Sequence, residues 1–157
     1  NSNERVLEIA PVNVTEMTQT VLSDWLPVFE QNEMNYAFFI PEKRMTVSLD
    51  TAAYRRILNN LIQNVVSHSG ASAISVGVEE KKDSVEIWVK DNGRGIPAEE
   101  LDHIFDRLYK CDPARMGKGS GLGLSIVEQL VRLQNGDIRV MSEVGKGTRF
   151  LLDFKLV

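Results

Sequence analysis

The sequence predicts an α+β domain: a two-layer sandwich with helices packed against one sheet. Three observations lead to this fold class. Amphipathic helical stretches and pairs of β-forming segments occur in one chain, and they do not follow the strict strand–helix–strand alternation of a doubly wound sheet. The length of 157 residues suits one ordinary domain with a real core. No internal repeat or low-complexity tract interrupts the pattern.

Residues 1–12 are polar, then apolar, with Pro11 as a stop. They read as an incoming linker or the end of a preceding helix, which leaves 13–157 as the domain proper. Asn13 with Glu16 fits an N-cap, and Met17, Val21, Trp25 and Val28, with Leu22, Leu26 and Phe29, follow helical spacing. Pro27 is expected to bend this first helix. Residues 36–40 and 45–49 are short and β-rich, and they are expected to form a hairpin or adjacent strands that begin the sheet.

Asp50 is a good N-cap for the next helix, where Ile57, Leu61 and Val65 with Leu58, Ile62 and Val66 make an apolar face. Residues 73–80 and 84–90 flank the polar turn Lys81-Lys82-Asp83 as an antiparallel pair, and the second strand delivers Asp91 to its end. Pro97 with Glu99 and Glu100 opens a short helix with acids at its positive end. Residues 106–120 are basic, contain glycine and lack apolar periodicity, so they read as a mobile loop. Leu122, Ile126 and Leu130 with Val127 and Val131 give a further helix closed by Asn135-Gly136, and residues 138–142 and 148–156 form a last strand pair.

The net charge of −4 argues against a general nucleic-acid or anionic-membrane surface. The one cysteine, Cys111, excludes an internal disulfide and a cysteine-rich metal site, so a reducing compartment is expected. No apolar run approaches the roughly 20 residues of a spanning helix, and no signal pattern opens the chain. These residues are therefore expected not to enter a membrane. The start at Asn1 reads as a piece of a longer protein whose remainder holds a membrane anchor or a second catalytic element.

Two glycine-rich stretches, residues 91–97 and 117–127, are the sharpest motif. The first sets an acid and a flexible turn at a strand end; the second is a glycine loop running into a helix, where backbone N–H groups can hold phosphate. Asp91 closes an otherwise apolar strand, where a carboxylate is expensive unless it accepts hydrogen bonds. An adenine amino group would supply one, with Gly93 and Gly95 letting the backbone approach the ring; an ordinary Asp-Asn-Gly turn is the alternative. Asn60 and Asn64 share one helix stripe, either as a solvated face or as oxygen ligands for magnesium. Arg107, Lys110, Arg115 and Lys118 read as a phosphate clamp or as a solvated loop.

Together these segments resemble the ATP-binding catalytic domain of two-component sensor histidine kinases, within the gyrase, chaperone, histidine kinase and mismatch-repair ATPase superfamily. Residues 56–64 match the family's N box, 91–95 its first glycine box, 104–110 its phenylalanine box and 119–127 its second glycine box, with Gly145-Lys146-Gly147-Thr148 completing the order. The resemblance implies a Bergerat-type sandwich, a mixed sheet of about five strands on three helices with a mobile ATP lid at 106–120. It implies ATP and Mg2+ as ligands. Asn64 would sit on the magnesium with Asn60 beside it. Asp91 would accept from adenine, supported by Thr148, and Gly93, Gly95 and Ile96 would shape the adenine pocket. Tyr109 would cover the nucleotide, and Arg107 and Lys110 would meet its phosphates. Gly119, Ser120, Gly121, Leu122 and Gly123 would wrap them at the helix start.

Two departures bear on activity. Family members commonly carry a lysine or arginine where Ser67 stands, so His68, Lys110, Arg115 or Lys118 would have to compensate. Hydrolysing relatives place a glutamate where Asn60 stands, and a carboxamide is no general base. The implied function is therefore transfer of the γ-phosphoryl group to a histidine on a dimerisation domain upstream, with a cognate response regulator as partner. The parent would be a homodimer, a membrane-anchored bacterial sensor with this domain in the cytoplasm. A degenerate ATP-binding module is the alternative, and an ATPase or serine kinase of the same superfamily ranks below it.

Overall fold

The computed structural model of the protein describes residues 6–106 and 121–157. In chain order the elements are β1 (Ala10–Asn13), α1 (Val14–Gln31), β2 (Asn35–Phe39), β3 (Thr46–Leu49), α2 (Thr51–His68), β4 (Ala73–Glu80), β5 (Ser84–Asp91), α3 (Ala98–Leu101), α4 (Gly121–Leu133), β6 (Asp137–Glu143) and β7 (Gly147–Lys155). The main sheet has the order β2-β4-β5-β7-β6, with β2 parallel to β4 and the other neighbours antiparallel. This is the mixed five-stranded α+β arrangement expected.

Side-chain alternation puts one face of that sheet into the core. Val76, Val78, Ile87, Val89, Phe150, Leu152 and Phe154 are buried there together with Phe29 of α1, Ile57, Leu58 and Leu61 of α2, and Val127 and Val131 of α4. Each large apolar side chain so removed from water contributes about 1.5–3 kcal/mol, which holds helices and sheet together. Tyr54 is fully buried among them and bonds Thr18 Oγ1 at 2.7 Å, while Thr18 Oγ1 itself donates to the Val14 carbonyl at 2.7 Å. Tyr54 is thus the donor of that pair, and burial pushes its phenol above the usual range. Tyr54→Phe is expected to cost about 1 kcal/mol in urea unfolding, the net value of one buried hydrogen bond; an unchanged midpoint would show the bond to be idle.

Both predicted N-caps form. Asn13 accepts from Glu16 N at 3.5 Å and Asp50 from Ala53 N at 2.8 Å. Two strand assignments differ from expectation. Residues 36–40 and 45–49 do not form a hairpin: β2 joins the main sheet beside β4, whereas β3 pairs antiparallel with β1 in a separate two-stranded sheet. The segment between them, Pro41-Glu42-Lys43-Arg44, has neither the glycine nor the asparagine a tight hairpin turn needs. Residues 10–12, read as part of an incoming connector, are strand, and Val12 is buried. Asn13 links the two facts, because its Oδ1 also accepts from Met45 N at 3.3 Å and so draws β1 alongside β3. At the end of α4, Asn135 rather than Gly136 takes the left-handed conformation, with φ 64°. Gly136 is needed for a different reason, since a Cβ there would lie 2.4 Å from the Phe154 ring.

Candidate nucleotide site

Asp91 ends β5 with only 3% of its surface exposed. Burial raises its carboxyl above the ordinary range, and backbone N–H groups of Gly93 and Thr148 pull it part of the way back. The Gly93 donor lies 2.7 Å from Oδ1. A carboxylate has about four acceptor positions, so two backbone donors leave capacity for a ligand's amino group.

The Thr148 donor arrives by way of Gly147. That residue has φ 125°, and a Cβ on it would lie 2.0 Å from the Asp91 carbonyl oxygen, so only glycine lets β7 enter so close to the end of β5. Ser142 of β6 ties the neighbouring loop to this point. It accepts from Ile96 N at 2.8 Å, donates to the Gly147 carbonyl at 3.0 Å and bonds Thr148 Oγ1 at 2.8 Å. Asp91, Gly93, Ile96 and Thr148 are therefore brought together, with Gly95 buried between the two loop residues. Ser142 escaped sequence reasoning. It follows Ile138 and Val140 on the inward face of β6, and a polar residue at that position was the available signal.

At the helical side, Asn60 and Asn64 are both half-buried on α2. Asn60 Nδ2 donates to the Gly123 carbonyl at 3.4 Å, which joins α2 to the first turn of α4. Among the described residues, a Cβ on Gly123 would meet nothing within 4 Å. Gly121 and Leu122 form the first backbone turn of α4.

The residues present suit a hard cation carried with phosphate. Among the described residues no group of three or more His, Cys, Asp or Glu could hold a metal. Asn60 spends its amide N–H on Gly123, which keeps its oxygen available. Asn64 offers a second carboxamide oxygen one turn along. One or two protein oxygens completed by phosphate and water is the binding mode magnesium prefers. Arg107, Tyr109, Lys110, Arg115, Lys118, Gly119 and Ser120, and with them nearly all of the expected lid, lie outside the described residues.

Ser67 is exposed and accepts from the Gln63 amide, so it contributes no charge. His68 does not replace the missing cation: burial, and then the nearby Arg94 charge, hold its imidazole below the usual range and hence neutral at pH 7. A neutral ring retains one N–H donor.

Fold and site define a class: a mixed sheet beneath helices, an acid at a strand end and paired asparagines on the adjoining helix. The chain belongs to the histidine kinase-, DNA gyrase B- and HSP90-like ATPase family, whose model matches residues 49–157. The sensor histidine kinase YvrG of Bacillus subtilis is 40% identical over 121 residues, covering 76% of this chain and 21% of YvrG. The chain spans about a fifth of the length of the curated relatives it matches. The catalytic domain of the histidine kinase ThkA superposes with TM-score 0.82 at 22% identity, covering 95% of this chain and 96% of that one. Full-length ShkA in complex with AMPPNP superposes with TM-score 0.82 at 24% identity, covering 98% of this chain and 32% of that one. At these identities the two structural likenesses concern the fold. No helix among the described residues is long and apolar enough to cross a membrane.

Proposed function

We propose that this domain binds ATP with Mg2+ and donates the γ-phosphoryl group to a histidine on a separate dimerisation domain, in a two-component pathway ending at a response regulator. The observation that carries the reading is the contact of Asn60 with Gly123, 3.4 Å, which sets the carboxamide stripe of α2 against the glycine turn that opens α4. Oriented N–H groups at that turn favour phosphate, and the stripe supplies oxygens for the accompanying cation. The AMPPNP bound to ShkA is consistent with this assignment.

In this reading Asp91 accepts from the adenine amino group, and Thr148 steadies the carboxylate through its N–H. Gly93, Gly95 and Ile96 border the ring. Asn64 holds the magnesium together with the phosphates, with Asn60 beside it. Gly119, Ser120, Gly121, Leu122 and Gly123 wrap the phosphates, Tyr109 covers the nucleotide, and Arg107 and Lys110 meet the transferring group. Magnesium, when bound, neutralises charge across the phosphates. The domain's task is otherwise positioning and electrostatics, as phosphoryl transfer requires. Asn60 cannot take a proton from water, so transfer is favoured over hydrolysis. The parent would be a homodimeric sensor with this domain in the cytoplasm.

Incubating the domain with its dimerisation domain in trans, labelled ATP and Mg2+ is expected to label a histidine. ATP binding without labelled histidine would leave a binding-only module, and rapid ATP turnover by the domain alone would overturn the role of Asn60. Asn64→Ala is expected to weaken Mg-ATP binding roughly ten-fold, about 1.4 kcal/mol, in equilibrium titrations, with a smaller loss for ATP in EDTA.

A further inference from the structure

Nucleotide recognition here is divided between a loop, residues 91–96, and a helix, α2, and the structure fastens one to the other at a defined place. The final turn of α2 begins directly after Asn64, and its carbonyls have no partner inside the helix. Two of them, and the Ser69 carbonyl just beyond, accept from the connector and the loop. Ser69 Oγ donates to the Val65 carbonyl at 2.7 Å, Arg94 Nη1 to the His68 carbonyl at 3.1 Å, and Arg94 N to the Ser69 carbonyl at 2.9 Å. The guanidinium also brings positive charge to the negative end of the helix dipole. Gly93 permits the approach, because a Cβ on it would stand 2.3 Å from the Ser69 carbonyl oxygen.

The other side of the connector is held by Asn92. Its Oδ1 accepts from Ser72 N at 2.9 Å and Ala73 N at 3.0 Å, and its Nδ2 donates to Ser72 Oγ at 3.0 Å. Arg94 is itself anchored from beyond, since its carbonyl accepts Gly145 N at 2.8 Å. Of the two residues between the acid and Gly95 that face no adenine in the proposed function, Arg94 thus grips the end of the asparagine helix and Asn92 the connector that follows it.

We propose that Arg94 is a positioning residue that couples adenine recognition to metal-phosphate binding by latching the last turn of α2, and with it Asn64, to the loop that carries Asp91. This rests on the proposed ATP site. Ordering the loop around adenine holds the helix end in place, and by linkage a helix end held by Mg-ATP orders the loop. Asn92 acts in the same clasp by fixing the connector.

The test compares Arg94→Ala and Arg94→Lys with the wild type by titration of ATP with Mg2+, ATP in EDTA, and adenosine. Wild type is expected to gain affinity from Mg2+; in Arg94→Ala that gain should shrink about five-fold, the size of a modest coupling between sites, with adenosine affinity nearly unchanged. Arg94→Lys, which keeps one donor and the charge, should restore part of the gain. Amide exchange over residues 65–69 should quicken in Arg94→Ala and slow in the wild type when adenosine binds. Equal losses for all three ligands, or an undiminished Mg2+ gain, would overturn the latch. A wild-type chain that bound no nucleotide would instead sink the proposed function. The exchange of residues 65–69 in the unliganded protein then decides alone, and unchanged exchange in Arg94→Ala overturns the latch.

Discussion

Asp91→Asn is expected to weaken adenine nucleotide binding by about 100-fold, close to the 1.5–3 kcal/mol of a charge-assisted hydrogen bond, without unfolding the domain. The carboxamide keeps one oxygen for the Gly93 or Thr148 N–H and turns a donor toward the other position, so the amino group of adenine meets either an occupied acceptor or a like donor. The fold is spared because ionised Asp91 is itself a burden. Its folded pKa lies above the ordinary value, so its favourable contribution to stability is present at low pH and is lost as pH rises through the folded pKa. Near neutrality, removing the charge relieves desolvation and offsets the weakened backbone contact. Thermal unfolding within a few degrees of wild type alongside lost affinity is the expected pair of results; retained affinity would refute the adenine contact. The same raised pKa has a signature in the wild type. Adenosine, which brings no phosphate to titrate, should bind less tightly as pH falls through a point above the ordinary carboxylate range, and Asp91→Asn should abolish that dependence.

Gly147→Val has the larger effect on the fold. At φ 125° a β-branched side chain is strained, and its Cβ would overlap the Asp91 carbonyl oxygen, which is backbone at a strand end and has nowhere to go. A cost of about 3 kcal/mol or more follows, which in a domain of this size lowers the melting temperature by roughly 6–12 °C. Because β7 must back away from β5, the Thr148 N–H leaves Asp91 and nucleotide affinity falls as well. Gly145→Ala is the matching control. It also has a positive φ, 85°, but among the described residues a Cβ there meets nothing within 4 Å, so its cost should be confined to about 1 kcal/mol. Equal melting temperatures for Gly147→Val and wild type would show that the close approach is dispensable.

What the sequence revealed and what it concealed divide along range. Asn13 and Asp50 could be recognised as caps because a cap acts on N–H groups within three residues. The strand pair around Lys81-Lys82-Asp83 was equally local. The partner of β2 was hidden, because β4 lies beyond a whole helix and a parallel neighbour leaves no turn to read. Asp91 could be picked out as a costly acid at an apolar strand end, whereas Asn92 looked like the second residue of a turn. Its real partners, Ser72 and Ala73, lie some twenty residues earlier and are joined to it only by the fold. Arg94 was concealed in the same way, occupying a motif position whose residue type carries no message until the end of α2 is seen beside it.

The small β1–β3 ribbon has a mechanical meaning. Glu8 donates its N–H to Asp50 Oδ2 at 2.7 Å, β1 then runs antiparallel to β3, and β3 passes through Asp50 directly into α2. Gln134 at the end of α4 holds the same residue by accepting Asp50 N at 2.8 Å. Tension or torsion applied to the segment before β1 therefore meets the Glu8 bond and the paired β1 first. It is expected to reach, through this paired ribbon, the root of the helix that bears Asn60 and Asn64.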